Sequence, residues 1–164
     1  MTIASAGTAA PQLTSFDRFM IVVVILMSTI VIALDMSIAT IALPHMQGGL
    51  SASQDQISWV MTTYFMMQAV TMSATGWLAG RIGRKKLYIL SLVGFAVCSV
   101  LSGNATSIEE ILVYRALQGM FSAPVVPISQ ALMLDAYPRE KHAQAMSIWG
   151  IGVMFAPVMG PVIG

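Results

Sequence analysis

Five long apolar runs separated by short polar connections dominate the chain: residues 19–43, 57–79, 87–101, 111–134 and 143–164. A helix needs about 20 mostly apolar residues to cross the hydrocarbon core of a bilayer. Inside that core every backbone polar group must be satisfied within the structure, so apolar runs of this length are predicted to be helices. The expected fold is therefore an all-α membrane protein, a bundle of about five transmembrane helices over residues 19–164. Residues 1–18 are small and polar, include Pro11 and show no periodicity, and read as a flexible cytoplasmic tail. The first run is too long for a signal-peptide core and is preceded only by Arg18 beside Asp17, so it is expected to remain as a span. The fifth run reaches Gly164 without a polar flank, from which the chain is expected to be the first part of a longer protein.

Composition agrees with a bilayer and excludes other classes. Only 9% of residues are charged, against roughly a quarter in soluble domains, and the mean hydropathy is +0.79. No basic face with interleaved aromatics is present, so nucleic acid is not an expected partner. The single cysteine, Cys98, lies within an apolar run, and His45 and His142 have no companions at ligand spacing. Neither a metal site nor any other cofactor is expected. An enzyme is the least favoured class, because no nucleophile with a base, no paired carboxylates and no phosphate-binding loop can be found.

The charges also orient the chain. Arg81, Arg84, Lys85 and Lys86 are half of all the basic residues, and they crowd the loop between the second and third runs. Such clusters stay on the cytoplasmic side during insertion. If the spans alternate, Arg18, Arg139 and Lys141 fall on the same side. The opposite connections, 44–56 and 102–110, contain Asp55, Glu109 and Glu110 but no lysine or arginine. The amino terminus is accordingly predicted to be cytoplasmic.

Two charged residues fall inside the spans. Asp35 sits in the first, where a carboxylate costs about 2.5 to 3.5 kcal/mol on insertion scales and should face the bundle or a wet cavity. An apolar setting favours the protonated form of a carboxylate, which makes Asp35 a candidate proton carrier; simple hydration at a funnel mouth is the alternative. Pro44 is expected to close this helix. Arg115, in the fourth span, shares a helix face with Gln118, Gly119 and Ser122 by its spacing. It stays charged, so it can tune a carboxylate, bind an anionic group, or tie helices together through backbone carbonyls. Pro124 and Pro127 should kink that span. In the fifth, Gly152, Ala156, Gly160 and Gly164 form a small-residue stripe suited to close helix packing. Met66, Met67 and Met72 could line an adaptable cavity, although lipid-facing filler suits most of the methionines.

Several of these stretches resemble the major facilitator superfamily of secondary transporters. The loop Gly76-Trp-Leu-Ala-Gly-Arg-Ile-Gly-Arg-Lys85 is similar to that family's cytoplasmic loop signature at Gly76, Leu78, Ala79, Arg81, Gly83, Arg84 and Lys85, and departs where Gly80 replaces an aspartate. Arg115, Gln118 and Gly119 match its fourth-helix signature. The run through Gly160, Pro161 and Gly164 resembles the fifth-helix antiporter signature, with Ser147 and Ala156 where the pattern has glycine. The segment from Leu34-Asp35 to Pro44 looks like the first-helix motif of drug:proton antiporters with fourteen transmembrane helices, and the chain as a whole looks most like the EmrB-type multidrug exporters. That resemblance implies proton coupling at Asp35, tuning of the proton step by Arg115, a leak-proof helix at Gly160 and Pro161, and a cytoplasmic latch at the basic loop. It implies as partners the lipid bilayer, protons, a small lipophilic substrate and, in double-membraned bacteria, a membrane-fusion protein and an outer-membrane channel.

The expected function is thus proton-coupled efflux of lipophilic or cationic drugs by alternating access in the bacterial inner membrane. A major facilitator transporter of a metabolite, or a stand-alone helical membrane protein serving as an interaction partner, are the alternatives.

Overall fold

The computed structural model describes residues 14–49 and 53–163, with side chains outside the description at 42–49, 54, 57 and 156–163. Six helices follow one another: α1 (Ser15–Gly49), α2 (Gln54–Ile82), α3 (Arg84–Gly103), α4 (Ile108–Ser122), α5 (Val125–Ala136) and α6 (His142–Ile163), with one 3-10 turn at Arg139–Lys141. Among the described residues there is no strand. Among the described residues, three stretches are long and apolar enough to cross a membrane by length and composition: Ser15–Ile41, Arg84–Gly103 and Ile108–Ala136. The last of these joins α4 and α5.

Local chemistry explains the helix ends. Ser53 caps α2 reciprocally: its hydroxyl accepts from the Gln56 N–H at 3.3 Å while the Gln56 side chain accepts from the Ser53 N–H at 2.9 Å. Ser107 caps α4 through the Glu110 N–H, and Glu109 and Glu110 lie in the first turn, where carboxylates complement the helix dipole. A single residue, Gly83, separates α2 from α3. Its φ of +91° is one that a side chain resists, which is why glycine stands between Ile82 and Arg84.

One expected helix end is not found. α1 continues through Pro44 to Gly49, so Pro44 does not close the helix; a proline removes one backbone hydrogen bond but leaves those on either side able to form. The fourth span is interrupted where Pro124 and Pro127 are expected to kink it. Pro124 and Pro127 lack the N–H groups that would bond the carbonyls of Met120 and Ala123, and α4 ends at Ser122 beside a two-residue turn before α5. The second span, α2, is 29 residues long and carries several hydroxyl side chains. The hydroxyls of Thr62, Thr63, Ser73 and Thr75 are each satisfied by a carbonyl one turn back in the same helix, which makes them tolerable in an apolar setting.

Packing is pairwise: α2 lies on α4, α6 on α1, and α3 on α4. The core between them gathers Ile25 and Ile32 from α1, Tyr64 from α2, Leu87 and Phe95 from α3, and Val125, Ile128 and Met133 from α5. Outward faces are as apolar as the core. Val24, Met27, Val31, Phe65, Met66, Met72, Val93, Val97 and Val100 are all exposed, the arrangement expected when the solvent is lipid. Met66 and Met72 therefore face outward. Gly152 of the small-residue stripe packs against Leu26 of α1; the side-chain environment of Ala156, Gly160, Pro161 and Gly164 lies outside the described residues.

Candidate functional site

The two charged residues within the spans meet. Arg115 Nη1 of α4 donates to Asp35 Oδ2 of α1 at 2.9 Å, across 80 residues of sequence. Their side chains are only 11% and 14% exposed, respectively. Either charge alone would be expensive at this depth, and each offsets the other's cost. The second carboxylate oxygen is also engaged: Ser99 Oγ of α3 donates to Asp35 Oδ1 at 3.0 Å. One carboxylate thus ties three helices together. On the α1–α3 side it lines an open cleft of about 430 Å³, whose walls include Ser28, Ile32, Phe95 and Ser99.

Just beside this pair, α2 and α4 are clamped by a buried polar cluster. Tyr64 Oη donates to Ser122 Oγ at 2.8 Å, Gln68 Nε2 donates to the same oxygen at 3.2 Å, and Ser122 Oγ itself donates to the Gly119 carbonyl. The clamp requires Gly119, because a Cβ there would collide with the backbone carbonyl of Tyr64. The shared face of Arg115, Gln118, Gly119 and Ser122 is therefore divided between two neighbours: Arg115 serves α1, while Gly119 and Ser122 serve α2. Gln118 is fully buried, and among the described residues neither polar atom of its amide has a partner; Arg115 Nε is likewise unpartnered there.

The basic loop lies elsewhere, at the junction of α2 and α3. Arg84 Nη1 bonds Asp135 Oδ2 at 2.6 Å, joining the start of α3 to the end of α5, with both side chains more than half exposed. Arg81 lies over the Trp77 ring at 5.3 Å. Gly76, Ala79 and Gly80 line a second cleft, of about 440 Å³, together with Thr75, Arg84 and Ile128. Among the described residues no hydrogen bond or ion pair joins the loop motif to the Asp35–Arg115 pair. Sequence reading missed Ser99, Tyr64, Gln68 and Asp135. Their hydroxyl, phenol, amide and carboxylate groups follow no motif, and only the register of packed helices makes them partners.

The sequence profile of the Major Facilitator Superfamily matches residues 25–164. The chain belongs to the Major Facilitator Superfamily. Similar proteins include the multidrug export protein EmrB of Haemophilus influenzae, 39% identical over 138 residues, covering 84% of this chain and 27% of that protein. The fatty acid resistance protein FarB of Neisseria gonorrhoeae is 40% identical over 131 residues, covering 80% of this chain and 26% of its own. The probable multidrug resistance protein EmrY of Escherichia coli is 34% identical over 158 residues, covering 96% of this chain and 31% of that protein. The chain thus spans between a quarter and a third of the length of these relatives. Membership in the Major Facilitator Superfamily, with its apolar helices, makes this a multi-pass membrane protein and sets it among transporters rather than enzymes.

Proposed function

We propose that these helices form part of a proton-coupled exporter of lipophilic, often cationic compounds, working by alternating access in a bacterial inner membrane with the amino terminus in the cytoplasm. The observation that carries this reading is the mostly buried Asp35–Arg115 pair, in a chain similar to multidrug exporters. Asp35 takes up a proton, its negative charge disappears, and its hold on Arg115 weakens. A lipophilic cation competes for the same negative charge, so its arrival expels the proton. A proton moving inward through about 100 mV releases about 2.3 kcal/mol, but a monovalent cation moving outward takes up the same amount, so one-for-one exchange is driven by the pH gradient and a second proton is needed to draw on the potential. The helix interruption at Ala123 and Pro124 gives the α4–α5 span a point at which to rock, and the Arg84–Asp135 pair offers a cytoplasmic contact that such motion can break.

The relatedness to FarB favours a second reading, in which the exported compound is an amphiphilic anion and Arg115 receives its carboxylate. Coupling to a membrane-fusion protein and an outer-membrane channel belongs to the first reading and rests on the resemblance to EmrB-type exporters.

The test uses inside-out vesicles containing the full-length protein and an imposed pH gradient. Adding a lipophilic cation should dissipate the gradient in the parent and not in Asp35→Asn. An equal response in both makes Asp35 structural. A response to a fatty acid but not to the cation supports the anionic reading, and the absence of either response from inserted protein contradicts export of both kinds.

A further inference from the structure

The two oxygens of Asp35 are not equivalent. Oδ2 is held by the Arg115 guanidinium, which carries only donors and keeps its charge. Oδ1 is held by the Ser99 hydroxyl, a group that can both donate and accept, so it can give up its hydrogen bond to the carboxylate and receive one from a carboxylic acid by rotating. Ser99 is part-buried and, together with Asp35, lines the cleft between α1 and α3. A proton arriving at Oδ2 must displace a charged guanidinium. A proton arriving at Oδ1 needs only the rotation of one hydroxyl.

We propose that Ser99 is a positioning residue for the proton step: it holds Asp35 Oδ1 toward the α1–α3 cleft and makes that oxygen the one that is protonated. This rests on the reading of Asp35 as a proton carrier. Among the described residues, the titratable and charged groups facing or adjoining the carboxylate are Arg115 on α4, Tyr64 on α2, whose phenol lies within electrostatic range of both Asp35 and Arg115, and Cys98, next to Ser99 on α3. None of these supplies a hydroxyl to Oδ1. A hydrogen bond donated to a carboxylate favours its charged form, so deleting the Ser99 hydroxyl favours the protonated form and moves proton uptake to higher pH. One hydrogen bond to a charged group corresponds to an upward shift of about one pH unit.

The experiment is infrared difference spectroscopy of the full-length protein in lipid as a function of pH. It follows the carbonyl band of protonated carboxyl groups and assigns Asp35 by its disappearance in Asp35→Asn. Removing one hydroxyl from a part-buried helix position leaves the packing of α3 in place. The expected result in Ser99→Ala is an Asp35 band with a changed stretching frequency whose titration midpoint lies about one pH unit higher, with both properties restored in Ser99→Thr. An Asp35 band unchanged in frequency and midpoint in Ser99→Ala overturns the role of Ser99 while leaving Asp35 as the carrier. If no Asp35-dependent band titrates in the parent, the carrier reading fails and the role of Ser99 falls with it.

Discussion

Gly119 of α4 lies so close to the backbone carbonyl of Tyr64 on α2 that a methyl group cannot be placed between them. This approach brings the Tyr64 phenol over Ser122 and sets the height of α4, and with it that of Arg115, against the rest of the bundle. Gly119→Ala is expected to push the helices apart, destabilising the protein by about 1–3 kcal/mol in the manner of an overpacked core. Gly80→Ala, where open space surrounds the added carbon, is expected to be neutral or to stabilise by up to about 1 kcal/mol through helix propensity. Thermal unfolding of the two variants in the same detergent distinguishes them.

Ser122 is the shared acceptor of the clamp, which makes the cost of losing each partner unequal. Ser122→Ala leaves both the Tyr64 hydroxyl and the Gln68 amide without their acceptor, and about 1–3 kcal/mol should be lost. Tyr64→Phe removes one donor while Gln68 still serves Ser122, so the expected cost is about 1 kcal/mol. A pair of melting curves showing the reverse order would contradict this division of roles.

The Arg84–Asp135 pair is short but exposed, and exposure limits its worth. A double-mutant cycle is expected to give a coupling energy of no more than about 1 kcal/mol, shrinking as salt is raised. Its contribution to transport can exceed its contribution to stability, since a contact that forms in only one conformation biases the equilibrium between two. Reversing both charges in Arg84→Asp with Asp135→Arg should recover activity lost in either single variant.

Much of this architecture is legible in the residues, for identifiable reasons. Length and hydropathy outline the spans because a bilayer leaves few other structures for an apolar run of 20 residues. Expensive charges announce themselves for the same reason, so Asp35 and Arg115 stand out before any contact is known. Their meeting is not legible, because it depends on how other helices place α1 and α4: α4 is held to α2 at Gly119, and α1 lies on α6 and α5. Ser99 and Asp135 carry no signal of their own: serine is ordinary within spans, and Asp135 lies at a helix end where carboxylates are common. Pro44 misleads in the other direction. Its local preference suggests a stop, yet α1 passes through it to Gly49, as a helix with intact hydrogen bonds on either side of the proline can.

Removing one partner of the membrane-buried pair leaves the other uncompensated. Arg115→Ala should destabilise the protein by about 3–5 kcal/mol, and the double variant Asp35→Asn with Arg115→Gln, which leaves no charge behind, should recover part of that loss. The yield of monodisperse protein after heating in detergent reports both outcomes.

Asp35, in the function proposed above, holds the proton that a lipophilic cation displaces. The most direct test of that role is proton release from the purified full-length protein in weakly buffered detergent, recorded with a pH indicator as a lipophilic cation is added. Release is expected from the parent and none from Asp35→Asn at equal protein concentration. Equal release from the two proteins would contradict it and place the exchanged proton on another group.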